Sequence, residues 1–181
     1  MARDPAHFLT YQKTRAKEII KRHNMVSQSF ATACRLLGHH VTVEPKRLDQ
    51  HDAMRVDLDI TLRLKRVLAD VTVRCSTSKS PDAVLEQANR DKEKKYKEKA
   101  REAGAAFVPL AFDAFGGASK EAEAFIQRMG REGVQRDSNV SVQQVIRTLW
   151  QEISVAIHRF NGQAMLRGVR GSGLRVAADG E

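Results

Sequence analysis

Between residues 55 and 74 apolar and polar side chains alternate almost without a break. Val56, Leu58, Ile60 and Leu62 are separated by Asp57, Asp59 and Thr61; further on, Val67, Ala69, Val71 and Val73 are separated by Leu68, Asp70 and Thr72, with Arg74 following. A period of two sends successive side chains to opposite faces of an extended chain, so the pattern predicts two strands, 55–62 and 67–74, pairing as a hairpin. The connecting Arg63-Leu64-Lys65-Arg66 contains no Gly, Asn or Asp and specifies no particular turn. A one-residue slip would turn every apolar side chain to the wrong face, so paired residue numbers must sum to an odd value. Asp57 then lies opposite Asp70 or Thr72, and both carboxylates leave the same face of the sheet, directly opposed or on the diagonal.

Around this hairpin the spacing changes to helical. Ile19, Ile20, His23, Val26, Phe30, Ala33, Cys34 and Leu37 recur at three- and four-residue steps and predict one buried stripe. Asp4-Pro5 offers an early helix start and Gly38 a stop. A short strand is expected at His39–Val43, closed by Glu44-Pro45, then a polar connection over 46–54. Ser80-Pro81, with Asp82 beside them, opens a long helix that Gly104 ends. The apolar run Ala106–Leu110 reads as a central buried strand, Phe112–Ser119 as a loop and Lys120–Met129 as a short helix. A last helix over 140–160 carries Val142, Val145, Ile146, Leu149, Ile153, Ala156, Ile157 and Phe160 on one stripe, with Trp150 on its apolar side. The expected architecture is α/β, in three layers, with a mixed central sheet flanked by helices. Its parts are an N-terminal extension (1–18), a core (19–130), a C-terminal helix packed on that core (131–161) and a flexible basic tail (162–181).

The charge is one-sided. The chain of 181 residues carries 31 Lys+Arg against 22 Asp+Glu, a net +9. Residues 1–54 hold nine basic and five acidic side chains, 55–110 thirteen and nine, and 111–181 nine and eight. The excess therefore lies in the first 110 residues, a field that favours a polyanion and most often nucleic acid. Two cysteines, Cys34 and Cys75, are too few for a disulfide framework and too far apart for a zinc cage. The absence of a long apolar run and of a secretory start predicts an intracellular protein with no membrane partner. No Gly-rich nucleotide loop or Ser-centred nucleophile elbow occurs, which argues against hydride transfer, nucleotide hydrolysis and acyl transfer.

Two like charges as close as Asp57 and Asp70 are destabilising unless a cation lies between them or one is protonated. Such an oxygen-rich pair suits Mg²⁺ or Mn²⁺ when phosphate oxygens and water complete the shell. The alternative is a solvated face on which the acids pair with Arg74 or Lys79. On the long helix, Val84, Leu85, Ala88, Tyr96, Ala100 and Ala103 set an inward stripe on which Lys92 falls, with Lys95 one residue aside. An inward lysine calls for an anion nearby. Lys94, Lys97 and Lys99 face water and, with Lys79 in the preceding loop, suit phosphate contacts; the alternative is a solvated lysine-rich helix with Glu93–Lys97 as an ordinary four-step pair. Glu44, at the end of the first strand, is a third candidate metal ligand, the alternative being an ordinary surface glutamate, and Asp59 is a weaker candidate. His23 reads as a satisfied core histidine, and Ser76–Ser80 as a loop able to cradle a phosphate or simply to cap the helix.

The stretch RVDLDITLRLKRVLADVTVRCSTS, followed by KEKKY and AGAAFVPLAFDAFGG and preceded by RHNMVSQSFATACRLLGHHVTVEP, resembles the restriction-like endonuclease domain of site-specific non-long-terminal-repeat retrotransposons. That family is a branch of the PD-(D/E)XK nuclease superfamily, found at the C-terminal ends of reverse-transcriptase-like proteins. The resemblance covers residues 20–160 and implies a restriction-endonuclease-like core. It makes Asp57 the aspartate of the PD half-motif, Asp70 the second acid, Glu44 the upstream acid, and Lys92 or Lys95 a lysine moved from strand to helix. Val56 stands in place of the motif's proline, and Thr72 in place of its usual lysine. The implied activity is Mg²⁺- or Mn²⁺-dependent hydrolysis of a DNA phosphodiester, nicking target DNA to prime reverse transcription. A reverse transcriptase domain or larger ribonucleoprotein is the implied partner, RNA the alternative nucleic acid and the nucleus the implied location. A catalytically inactive nucleic-acid-binding or assembly protein built on the same fold is the competing expectation.

Overall fold

A computed structural model describes residues 16–45, 55–76, 80–133 and 141–171. The first helix, α1 (Ala16–Leu36), closes as its sequence predicts. Gly38 takes the left-handed φ of 79° that glycine tolerates best, and the His39 amide turns back to the Cys34 carbonyl at 2.9 Å. Strands β1 (His40–Val43), β2 (Leu58–Leu62) and β3 (Lys65–Arg74) follow, then α2 (Pro81–Glu102), β4 (Ala106–Asp113), α3 (Lys120–Glu132) and α4 (Val142–Gly171). The sheet order is β1-β2-β3-β4, antiparallel for the first two pairings and parallel between β3 and β4, with α2 as the crossover. The protein is thus α/β with a four-stranded mixed sheet, as expected.

The hairpin has the predicted parity. Leu58 pairs with Ala69 and Ile60 with Val67, so paired numbers sum to 127. The Asp57 amide breaks that register, donating at 3.1 Å to the carbonyl of Ala69, the residue already opposite Leu58, so the strand bulges there. Its turn is tighter than the composition suggested: Arg63 adopts a φ of 53° and Leu62 pairs with Lys65, leaving only Arg63 and Leu64 in the loop. The other end departs from expectation. β2 begins at Leu58, not residue 55, because the chain bends at Asp57. Val56 leaves the face of Leu58 and Ile60 and packs with Leu68, Tyr96 and Ala100 under α2.

One face of the sheet carries a continuous apolar core built from α1, α3, α4 and the inward side chains of all four strands. The other is covered by α2, capped by the Ser80 hydroxyl, which accepts the Ala83 amide at 3.3 Å, and closed by Gly104 at a φ of 69°. β4 runs three residues past its predicted end, to Asp113, whose Oδ1 accepts the amides of Phe115 and Gly117 at 2.7 and 2.8 Å and folds the following turn.

Two expectations fail together. The predicted flexible tail from residue 162 is helical as far as Gly171, with Asn161 and Ala164 buried. On α1 the predicted stripe does not hold at Ile20, which is 56% exposed, while Glu18 and Arg22 are buried. The cause is one polar seam: Arg22 Nη1 donates to Asn161 Oδ1 at 2.5 Å, Asn161 Nδ2 donates to the Ala114 carbonyl at 2.6 Å, and Arg167 pairs with Glu18 at 2.8 Å. Polar groups that find partners can be buried as apolar ones are, although Glu18 Oε1 and Arg22 Nε remain without a hydrogen bond among the described residues; apolar periodicity is blind to such groups. Among the described residues no helix is long and apolar enough to cross a membrane.

Candidate functional site

The bend at Asp57 creates the site. β3 continues beyond the start of β2, so the amide of Val71 has no strand partner on that side, and the Asp57 carboxylate fills the gap: its Oδ2 accepts the Val71 N–H at 2.6 Å. The same oxygen lies 3.0 Å from Nε2 of His23 on α1. Because a carboxylate only accepts, Nε2 carries the hydrogen, and this bond to Asp57 holds the imidazole pKa above its ordinary value against the opposing effect of burial. Nδ1 meets the Asn24 side-chain oxygen at 3.2 Å.

Asp70, one residue beyond the Leu58–Ala69 pair, faces α2, whereas the Asp57 carboxylate meets His23 of α1. The direct or diagonal opposition on one face that the alternation predicted is therefore not what forms, although the charge of Asp57 still reaches Asp70. It is 4% exposed, and Lys92 Nζ approaches Oδ2 to 2.5 Å, reaching down from a helix position where its own side chain keeps 25% of its exposure. The contact is a close, charge-assisted ion pair, and Lys92 is the cationic partner of this buried oxygen. Burial, and then the charge of Asp57, push the Asp70 carboxyl above the usual carboxylate range; Lys92 and His23 oppose them without reversing the direction.

Lys95 is turned away. It is exposed, with Nζ 4.7 Å from the centre of the Tyr96 ring, and the Tyr96 hydroxyl holds its pKa up. Of the two helix lysines it is Lys92 that reaches Asp70. Lys94, Lys97 and Lys99 are exposed, and Lys97 lies 3.4 Å from Glu93 in the expected four-step pair. Lys79 lies outside the described residues, as do residues 77 and 78 of its loop.

Glu44 does not join. Its backbone adopts a left-handed φ of 46°, its amide donates to the Asp57 carbonyl at 2.8 Å, and its side chain is exposed. No cluster of three His, Cys, Asp or Glu able to hold a metal exists among the described residues. Asp59 is otherwise engaged: Arg66 Nε and Nη2 bind its carboxylate at 3.0 and 2.7 Å, and Arg66 Nη1 also reaches the Ala103 carbonyl.

His23 is the residue whose place the sequence misjudged. Part-exposed rather than core, it contacts a carboxylate 34 positions away. The available signal was a titratable side chain on the inward stripe of a helix, one turn before Val26, with no apolar group to replace it. No family model matches the chain, and no curated protein does.

Proposed function

We propose that this chain is a metal-dependent DNA endonuclease domain of retroelement type with a restriction-endonuclease-like core. The observation that carries the reading is the ion pair of Asp70 with the ammonium of Lys92 at 2.5 Å, near enough to Asp57, where two neighbouring strands part, for the charge of Asp57 to be felt at Asp70. The donor set fits a hard divalent cation. It offers two carboxylates, that of Asp70 buried, and burial first and then the neighbouring charge of Asp57 raise the pKa of Asp70. Asp57 and Asp70 would hold Mg²⁺ or Mn²⁺, and the ion would supply Lewis acidity toward a phosphate oxygen and a more acidic water. Lys92 offsets negative charge that develops on the phosphate and orients a water by hydrogen bonding. Lys94, Lys97 and Lys99 add sequence-independent attraction for the DNA backbone. The resemblance to retrotransposon endonucleases supports the biological setting, a nick that exposes a priming 3′ end for an associated reverse transcriptase.

A second reading has its own observation. Both carboxylates already have cationic or donor partners within the chain, and Glu44 supplies no third ligand. That arrangement suits a catalytically silent nucleic-acid-binding or assembly protein. Incubation of supercoiled plasmid with wild type and Asp70→Ala in Mg²⁺ and in Mn²⁺ separates the two. The nuclease reading expects wild type to nick and Asp70→Ala to lose at least about 100-fold, the scale of removing one charge-stabilising group. Equal cleavage by both rejects the assigned site. Tight DNA binding with no metal-dependent nicking by wild type selects the silent binder.

A further inference from the structure

We infer that His23 is a positioning residue for Asp57, fixing the plane of its carboxylate so that one face is offered to the cation; the inference rests on the metal-nuclease reading above. Both hydrogen bonds that the Asp57 carboxylate receives among the described residues end on Oδ2, one from the Val71 amide in the sheet and one from the His23 imidazole on α1. A single donor fixes a distance but leaves the carboxylate free to turn about its Cβ–Cγ bond. A second donor from a different layer removes that freedom and directs Oδ1 elsewhere.

The imidazole is itself held. Asn24 meets Nδ1 at 3.2 Å. The residue before it, Arg22, is buried and bonded to Asn161, which in turn holds the Ala114 carbonyl at the end of β4. One turn earlier, Glu18 is paired with Arg167. The seam between α1 and α4 therefore sets the position from which His23 reaches the sheet. An apolar side chain at 23 would pack a helix against a strand end equally well, but would leave Asp57 with the Val71 amide alone. Donors that orient a metal-binding side chain are typically worth 10–100-fold in metal affinity or activity.

The test uses Mn²⁺ titration of the full chain, followed by electron paramagnetic resonance, on wild type, His23→Leu, His23→Gln and Asp57→Ala, with plasmid nicking on the same samples. His23→Leu is expected to weaken Mn²⁺ binding about 10-fold or more, leaving DNA binding in EDTA unchanged. His23→Gln, which presents an amide N–H at similar reach, recovers most of the loss. If His23→Leu does not fold, His23→Asn, polar but too short to reach Asp57, takes its place. Identical Mn²⁺ affinity in wild type and His23→Leu overturns the inference, as does a glutamine variant as weak as the leucine one. Mn²⁺ binding that Asp57→Ala abolishes and His23 variants leave alone sinks this inference and spares the nuclease reading; a wild type that neither binds Mn²⁺ nor nicks sinks both.

Discussion

The two faces of the sheet are packed by different rules. Beneath α1, α3 and α4 lies one unbroken apolar cluster that includes Phe30, Ile60, Val71, Phe112, Ile126 and Ile153. Beneath α2 there are two small clusters, Val56, Leu68, Tyr96 and Ala100 in one and Leu85, Ala88 and Ala111 in the other. The break between them falls on the Asp70–Lys92 pair. On β3, Asp70 sits between Leu68 and Thr72, whose register partner is Ala111; on α2, Lys92 sits between Ala88 and Tyr96. The chain thus forgoes an apolar layer at the point where a buried acid and an ammonium meet, and sequences violate packing rules chiefly where function requires it.

The comparison is broken most directly by damaging the continuous face. Phe30→Ala removes a fully buried ring that packs on Phe112 at a centroid distance of 6.0 Å, and is expected to cost about 3–5 kcal/mol in urea unfolding. The opposite sign is expected across the sheet. Asp70→Leu combined with Lys92→Met replaces a desolvated ion pair by apolar side chains that join the two small clusters. It should be neutral or stabilising by about 1–4 kcal/mol while ending any nicking. Its pH dependence supplies an independent check in EDTA. The folded Asp70 carboxyl titrates above its unfolded value, so its contribution to stability is fully present below the ordinary aspartate range and is lost as pH rises through the folded pKa. Wild type should lose stability relative to the double variant over that interval, and a constant difference between the two would contradict the assigned cause.

The same contrast explains what could be read in advance. The hairpin parity, the helix ends at Gly38 and Gly104 and the Ser80 cap follow from local rules, in which each residue's chemistry acts on its own neighbours. The inward course of Lys92 toward Asp70 follows from helical phase. The expected opposition of Asp57 and Asp70 on one face does not hold, because the strand bulges at Asp57 and its carboxylate turns to His23. Partnerships between polar groups far apart in the chain could not be read in this way. Arg22 with Asn161, Glu18 with Arg167 and His23 with Asp57 leave no periodic trace. From them come the misplaced α1 stripe, the truncated final helix and the dismissal of His23. Of the two readings open for Glu44, its exposed side chain matches the surface glutamate, and its backbone takes a left-handed conformation uncommon for that residue.

The smallest effect comes from a second acid on the α2 face. Asp59 shares that face with Asp70 but receives a guanidinium in fork geometry, and Arg66 keeps about a third of its exposure. Such a pair is met in full and near water, where ion pairs contribute little. A double-mutant cycle of Asp59→Ala and Arg66→Ala should give a coupling energy of about 0.2–1 kcal/mol, with Mn²⁺ affinity changed less than about twofold. Asp70 differs in depth and in being matched by one lysine ammonium, where Asp59 receives a two-pronged guanidinium. If the Asp59 cycle moved metal binding as strongly as Asp70→Ala, the face would be a diffuse acidic surface and no distinction between its two carboxylates would stand.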